Sequence, residues 1–249
     1  MQIRKRKKKY QMKLGKGEEL GFYESKNCCF EEGRLEAGVG VALYMEFLNK
    51  SLENFFKTHP IEKLLVGGEM LGDVYTPLVF ILSGNGYVYV CGGESEEYFL
   101  ESDLRFLDNA GLVLMTNEEG VYEVAVITDD GVYALQQDGF CATTYKGRTT
   151  NMGAFLHGRL YFSEEYAVHC TAPFSFVWET ADGDNYGTVL VDKALGRVSS
   201  MIVCGEKLLV LQEYGAFFLE GGGAFRDFTV KHIERLGGRA VKGGFLLVY

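Results

Sequence analysis

Short apolar runs alternate with turn residues along most of the chain, and this pattern predicts β-hairpins. The clearest stretch is 153–222, which holds two copies of one unit of three strands and two tight turns. The predicted strands are Gly153–Leu156, Arg159–Ser163 and Tyr166–Thr171 in the first copy, and Ser200–Cys204, Lys207–Gln212 and Ala216–Glu220 in the second. The rest of the sequence contains looser copies of the same unit.

Further hairpins are predicted upstream, because Asn-Gly and Asp-Gly pairs between apolar strands favour turns in which both residues adopt positive φ. Val79–Thr116 is predicted to be one unit of four strands. A hairpin follows around Asp129-Asp130-Gly131, and another is predicted at Asn27–Ala37. One helix is predicted between Leu48 and Lys63, where apolar residues recur at helical spacing before Pro60.

Turn glycines give the period of the repeat. Taken in order, they recur about every 42 residues on average, at Gly33, Gly86, Gly131, Gly158, Gly205 and Gly244. Four short antiparallel strands in 40 to 50 residues are typical of a β-propeller blade. The predicted fold is therefore all-β, a β-propeller-like array of about five four-stranded blades.

The last predicted strand, Phe245–Tyr249, is the second strand of a unit whose remaining strands are missing from the sequence. Two completions fit the pattern. Either the hairpin at Asn27–Ala37 fills the missing positions and closes the ring, or the chain is part of a longer protein and the array is incomplete.

The composition supports this prediction, since Gly 32, Tyr 15 and Phe 18 against Pro 3 indicate aromatic strands joined by glycine turns. The formal net charge is −9, yet one run near the start is basic: Arg4, Lys5, Arg6, Lys7, Lys8 and Lys9. We therefore divide the chain into a basic disordered arm, 1–20, and a propeller-like domain, 21–249. The acidic body should repel nucleic acid and anionic membranes. The arm is either a solvated tail or a contact to nucleic-acid phosphates or an acidic partner.

Six cysteines occur without a Cys-x-x-Cys pair. Cys91, Cys170 and Cys204 fall in or at the ends of apolar strands, as expected of free buried thiols in a reducing compartment. The basic start precedes a polar stretch rather than the apolar core of a signal peptide, and no apolar run is long enough for a membrane helix. The predicted location when made is the cytoplasm.

The usual chemical motifs are weak. His157 is predicted to be a turn residue and His169 an exposed or half-buried strand residue, so no metal site is predicted. The calcium-like run that begins at Asp182 fails because Lys193 stands where the chelating Glu is required. The carboxylate pairs at Glu118-Glu119, Asp129-Asp130 and Glu164-Glu165 are interpreted as turn residues. No cofactor and no catalytic residue is predicted.

Trp178 admits two interpretations. It belongs to an aromatic cluster with Phe174, Phe176 and Tyr186, which is typical of packing between blades. Alternatively, it is part of a ligand platform for sugar, together with Tyr186, Asp182 and Asp184.

Several segments resemble one family. HGRLYFSEEYAVHCTAPFSFVW at 157–178, CGEKLLVLQEYGAFFLEG at 204–221 and FTVKHIERLGGRAVKGGFLLVY at 228–249 resemble the β-propeller structural proteins of bacteriophage tails, including nozzle-type proteins of short-tailed phages. ESKNCCFEEGRLEAGVGV at 24–41 is similar to the segment that opens such chains. The resemblance implies a non-enzymatic virion component that assembles into a ring around a DNA passage. The chain departs from the family in being shorter.

Three functions follow as expectations. The first is a structural or interaction protein of a phage or prophage tail, with other virion subunits as partners, a homo-oligomeric ring, and DNA contact through the basic arm. The second is a carbohydrate-binding or sugar-processing propeller, which acidic residues and tyrosines converging at one mouth would favour. The third is a peptide-binding scaffold in a bacterial cell.

Overall fold

The structure is a computed structural model. It describes residues 13–14, 22–24, 28–31, 34–37, 50–71, 74–92, 99–106, 110–136, 138–178 and 185–233. The basic arm at 4–9, the pair Asp182 and Asp184, and the predicted strand at 245–249 lie outside the described residues. The chain divides into two compact units, Met1–Phe47 and Leu48–Tyr249.

In the first unit the described residues form two antiparallel pairs. These are β1 (Lys13–Leu14) with β2 (Phe22–Glu24), and β3 (Cys28–Glu31) with β4 (Arg34–Ala37). The second pair confirms the predicted N-terminal hairpin, with Glu31 opposite Arg34 at the turn.

The second unit contains helix α1 (Lys50–Thr58) and four antiparallel sheets, each of four strands that follow one another in the sequence. We call these sheets blades 1 to 4. Blade 1 contains β5 (Ile61–Leu71), β6 (Val74–Ser83), β7 (Tyr87–Gly92) and β8 (Phe99–Arg105); blade 2 contains β9 (Gly111–Thr116), β10 (Tyr122–Thr128), β11 (Gly131–Leu135) and β12 (Cys141–Lys146). Blade 3 contains β13 (Gly153–Leu156), β14 (Arg159–Glu164), β15 (Ala167–Cys170) and β16 (Gly187–Leu190); blade 4 contains β17 (Val198–Cys204), β18 (Lys207–Gln212), β19 (Gly215–Glu220) and β20 (Thr229–His232). The fold is therefore an all-β, propeller-like array of four-stranded blades.

The repeat is regular once equivalent strands are compared. The first strands of blades 1 to 4 begin at Ile61, Gly111, Gly153 and Val198, at intervals of 50, 42 and 45 residues. The short interval between Gly131 and Gly158 in the sequence pattern arises because these glycines mark different turns. Gly131 follows the second strand of blade 2, whereas Gly158 follows the first strand of blade 3.

The predicted boundaries need two corrections. Val79–Thr116 is not one blade, because β5 precedes it in blade 1 and β9 belongs to blade 2. The fourth strand of blade 3, β16, was missed, because it is four residues long and is separated from β15 by the long connection 171–186.

The predicted helix is confirmed as α1, although it ends at Thr58 and the chain is a strand from Ile61 onward. Pro60 has no N–H to donate and so marks the change. The helix brings two aromatic rings onto blade 1, because the centroids of Phe55 and Phe56 lie 5.2 and 5.7 Å from that of Tyr89.

The core lies between successive blades, whose first strands contact one another in the order β5, β9, β13 and β17. We call these interfaces junctions 1–2, 2–3 and 3–4. Each is filled by a cluster of aliphatic and aromatic side chains from both blades, with Phe80 and Val126 in the first cluster, Ile127 and Phe162 in the second, and Tyr161 and Phe217 in the third.

The cysteine prediction holds in part. Cys91 and Cys170 are free buried thiols, whereas Cys204 is exposed at the end of β17, so its predicted burial is wrong. Burial raises the pKa of Cys91 to about 12. No helix among the described residues is long and apolar enough to cross a membrane.

Candidate functional site

Two residue positions recur in every blade where it packs against the preceding blade or, in blade 1, against helix α1. The second strand of each blade ends on a polar residue, in order Ser83, Thr128, Glu164 and Gln212. The third residue of each following strand is in turn Tyr89, Tyr133, His169 and Phe217. We call these the strand-end and ring positions. Because they recur at each junction, differences between junctions can be compared residue by residue.

Junction 3–4 is closed at the strand-end position. Gln212 is only 1% exposed. Its Nε2 donates to the carbonyl oxygens of Asp192 and Gly196, both at 2.8 Å, in the connection between blades 3 and 4. The amide therefore binds a neighbouring segment of the chain.

Junction 2–3 is closed by side chains. Tyr145 from β12 donates its hydroxyl to Oε1 of Glu164, and Nε2 of His169 lies 3.3 Å from the same oxygen. Nδ1 of His169 is 2.9 Å from Oγ1 of Thr188. The Trp178 ring completes the junction, with its centroid 4.7 Å from that of His169.

The electrostatics of this junction follow from burial. His169 is 4% exposed, and burial lowers its pKa below the ordinary value although Glu164 acts in the opposite direction. Burial, followed by the nearby Glu164 carboxylate, raises the pKa of Tyr145. The imidazole and the phenol are therefore both neutral near pH 7.

Junction 1–2 is open at the position where side chains fill junction 2–3. A cleft of about 390 Å³ lies between blades 1 and 2. It is lined by Leu104, Arg105, Phe106, Thr128, Asp129, Asp130 and Tyr133. Cavities of 300 to 1,000 Å³ are the usual size of small-molecule sites. The strand-end Thr128 does not reach across the cleft, since its hydroxyl donates to Oδ1 of Asp130 within its own turn.

The blade 1 wall of the cleft is fixed by the turn between β6 and β7. The Phe106 N–H donates to the carbonyl of Gly86 at 2.6 Å, and Nε of Arg105 donates to the carbonyl of Asn85 at 2.6 Å. Gly86 has φ of +88°, and a Cβ there would lie 2.8 Å from the Phe106 carbonyl. Only glycine allows this close approach without strain. Arg105 also lines the cleft, and among the described residues its two terminal nitrogens have no hydrogen bond.

The blade 2 wall is the turn between β10 and β11. Its backbone is held by the segment after β12, since the N–H groups of Gly147 and Thr149 donate to the carbonyls of Asp130 and Asp129. The Tyr133 ring lies beside Phe106 with centroids 5.4 Å apart, and burial together with Asp130 raises its pKa. Among the described residues neither aspartate has an ion-pair partner and the Tyr133 hydroxyl has no hydrogen bond. The cleft therefore offers unused donors and acceptors.

The structure keeps part of the predicted aromatic cluster, since Trp178 and Phe176 both pack against the apolar cluster of junction 2–3, as expected of packing between blades. Trp178 contacts Tyr145, Phe162 and His169 in junction 2–3. Phe174 instead lies against Gly158, and Tyr186 precedes β16. The ligand-platform interpretation of Trp178 and Tyr186 stays a prediction, since its two acidic partners, at 182 and 184, lie outside the described residues.

The histidine and carboxylate predictions have mixed outcomes. His157 is a turn residue with φ of +52°, as predicted, but His169 is buried, so its predicted exposure is wrong. Asp129 and Asp130 form the predicted turn, whereas Glu164 is the last residue of β14. No group of three possible metal ligands occurs among the residues that the structure describes.

The cleft itself was missed. The available signal was a polar residue at the end of each second strand and an aromatic or histidine ring as the third residue of the strand that follows. Reading it requires correct blade boundaries, which the turn glycines alone did not provide.

Comparison with known proteins adds little. No family model matches the chain, and no curated protein matches it. Among solved structures, a streptogramin B lyase is similar, with 13% sequence identity and a TM-score of 0.40, over 90% of this chain and 68% of that one.

Proposed function

We propose that the protein acts by binding rather than by catalysis, and that the cleft of junction 1–2 is its ligand site. The observation that carries this proposal is the difference between equivalent positions. Tyr145, Glu164 and His169 fill junction 2–3. The corresponding place in junction 1–2 is a cleft of about 390 Å³, in which, as far as the described residues show, neither aspartate has an ion-pair partner and the Tyr133 hydroxyl has no hydrogen bond. Unpaired polar groups around a concave site are what a small polar ligand requires.

The lining favours a carbohydrate. Asp129 and Asp130 supply acceptors for adjacent hydroxyl groups, and Arg105 supplies donors from the opposite wall. Tyr133 adds a hydroxyl and an aromatic face on which a sugar ring can rest. This is the acidic and aromatic convergence expected of a carbohydrate-binding propeller, although Trp178 takes no part in it.

A glycan panel tests the proposal, with binding measured by isothermal titration calorimetry. Asp129→Asn should weaken binding of any glycan that binds by about tenfold, since a hydrogen bond to a charged group contributes about 1.5 kcal/mol or more. Glu165→Gln is the matched control, because Glu165 occupies the equivalent turn position in blade 3. The cleft would be excluded as the ligand site if both variants lost the same affinity for the glycan, or if neither variant changed that affinity.

The phage-tail role is the second candidate, in which exposed apolar side chains on the outer strands would contact neighbouring subunits. Leu190, the last residue of β16, is 81% exposed, and Val230 in β20 is 41% exposed. Side chains of this kind are buried when neighbouring subunits pack on a rim. In this candidate the protein is a virion component that contacts other tail subunits or copies of itself in a ring.

Light scattering on the purified chain tests that candidate. A ring-sized mass that falls towards the monomer in Leu190→Asp would support it. Tyr214→Ser, at an exposed turn residue outside the outer strands, should leave the mass unchanged. A monomer at every concentration, with no mass gain when tail proteins are added, would contradict it.

In the phage-tail candidate, the basic arm is the part of the protein that contacts DNA. Deleting residues 1–10 removes six positive charges. Retention on double-stranded DNA should then fall and lose much of its salt dependence, because phosphate contacts release counterions. Unchanged retention would show that the arm is a passive tail.

A further inference from the structure

His169 is a buried titratable side chain that the proposed ligand site does not use. Three aromatic rings surround it, with centroids 4.7 Å (Trp178), 4.9 Å (Phe162) and 5.6 Å (Tyr145) from its own. Nδ1 has a partner in Thr188, 2.9 Å away. Nε2 is buried and lies 3.3 Å from Glu164 Oε1, outside hydrogen-bond geometry. One ring nitrogen is therefore left without a hydrogen bond inside the junction.

The surroundings are poor in charge. The elements packed against His169 offer Tyr145 from β12, Glu164 from β14, Thr188 from β16 and Trp178 from the loop after β15. Among the described residues, Glu164 is the one charged group that acts on His169, and Tyr145 is the other titratable one. The Glu164 side chain is 40% exposed and already accepts the Tyr145 hydroxyl. An imidazolium here would have one half-solvated carboxylate as its counter-ion.

We propose that junction 2–3 is a pH-sensitive seal, which opens when His169 takes up a proton. An imidazolium held among three aromatic rings loses its hydration, and the rings together with the misaligned contact to the half-solvated Glu164 offset this loss only in part. Separation of the blades at this point lets water reach both nitrogens. The inference goes beyond the proposed ligand site, since it concerns a different junction and requires no ligand.

The direction of the effect follows from proton linkage. In the open junction the imidazole has its ordinary pKa of about 6.5, whereas burial lowers the pKa in the closed junction. The open form therefore binds more protons, and acid favours opening. Between pH 6.5 and the lower pKa, the opening equilibrium constant should rise by up to about tenfold per pH unit, because one proton is taken up. Above pH 6.5 the seal should not respond.

Trp178 provides the measurement, because it is the only tryptophan in the chain and lies beside His169. Acrylamide quenching of its fluorescence reports the access of solvent to the junction. In the full-length protein we expect quenching to increase and emission to shift to longer wavelength between about pH 7.5 and about pH 5. The change should reverse when the pH is restored. Quenching that stays constant over this range would overturn the proposal.

Substitutions at His169 and Glu164, with His157→Gln as the control, distinguish opening of the junction from titration of His169 inside a closed junction. His169→Gln should give a flat pH profile, whereas His157→Gln, at a half-buried turn histidine, should keep the wild-type profile. Glu164→Gln removes the one charge among the described residues that stabilises a protonated His169 in the closed junction. The pKa of His169 there falls further, so the increase in quenching should continue to lower pH and reach a larger value than in the wild type. If His169 instead titrates inside a closed junction, Glu164→Gln moves the fluorescence change to lower pH without added quenching, and the proposal fails. Glu164→Gln therefore tests the proposal even if His169→Gln does not fold.

Discussion

Junctions 1–2 and 2–3 have the same backbone pattern, but side chains fill junction 2–3 whereas junction 1–2 contains an open cleft. In both, a second strand ends on a polar residue and an aromatic ring from the preceding blade meets the ring position. Phe106 lies 5.4 Å from Tyr133, and Tyr145 lies 5.6 Å from His169. In junction 2–3 a carboxylate reaches Tyr145 and closes the interface, whereas in junction 1–2 the shorter Thr128 binds its own turn. The comparison shows that side-chain length at one repeated position decides between packing and a cleft.

The largest expected effect tests whether junction 2–3 is core. Phe162 is 1% exposed, so Phe162→Ala should lower the free energy of unfolding by about 3–5 kcal/mol in urea titrations. Leu104→Ala is the control in the cleft, because Leu104 is 38% exposed and its loss should cost about 0.5 kcal/mol or less. Similar losses at the two sites would remove the distinction between the junctions.

The next effect concerns the cleft wall. Gly86→Ala places a Cβ 2.8 Å from the Phe106 carbonyl at a φ of +88°, and should cost about 2–3 kcal/mol through backbone strain and displacement of the wall. Gly205→Ala separates the cost of backbone strain from the cost of displacing the cleft wall. Gly205 also has positive φ, +60°, but a Cβ there meets nothing within 4 Å, so the expected cost is about 1 kcal/mol. Thermal unfolding of the two variants gives the difference, and a larger loss for Gly205→Ala would contradict the close approach.

A pair of hydroxyl deletions gives a smaller effect. Tyr145→Phe removes the bond to Glu164 and should cost about 1–2 kcal/mol, reduced from the value for a charged bond because the carboxylate is partly solvated. Tyr133→Phe should change the free energy of unfolding by less than about 0.5 kcal/mol, since its hydroxyl only lines the cleft. Equal losses in urea titrations would show that Tyr133 is also structural.

The smallest effect is expected at the surface. Glu165 and Arg197 lie 3.1 Å apart with about half of each side chain exposed, so Glu165→Gln should cost about 0.5 kcal/mol or less at moderate salt. The same turn position carries Asp129 in blade 2, where substitution should affect ligand binding instead. A loss above about 1 kcal/mol in Glu165→Gln would mean that this turn supports the junction after all.

Much of the fold could be predicted from the sequence, because its signals are local. His157 and Gly158 both have the predicted positive φ, whereas none of Asp129, Asp130 and Gly131 does, so the predicted turn type is wrong there although the hairpin is in the predicted place. The strands on either side are apolar runs bounded by turn residues, which is a local signal. The cleft could not be predicted, because it depends on which strand ends meet across blades. Arg105 and Asp130 are 25 residues apart in the sequence and face each other only after β8 is assigned to blade 1 and β10 to blade 2. The burial of His169 is also non-local, since two of the three rings around it come from outside its own hairpin.

Helix α1 gives the array a direction. At junctions 1–2 and 2–3 a ring from the preceding blade covers the ring position, and at Tyr89 in blade 1 the rings of Phe55 and Phe56 take that place. The helix thus covers the first blade as a capping repeat covers the first repeat of a solenoid. Duplication of a blade could lengthen such an array after blade 1 without disturbing its start. The number of blades would then be free to vary in evolution, while the capped first blade keeps one register from which all later blades are counted.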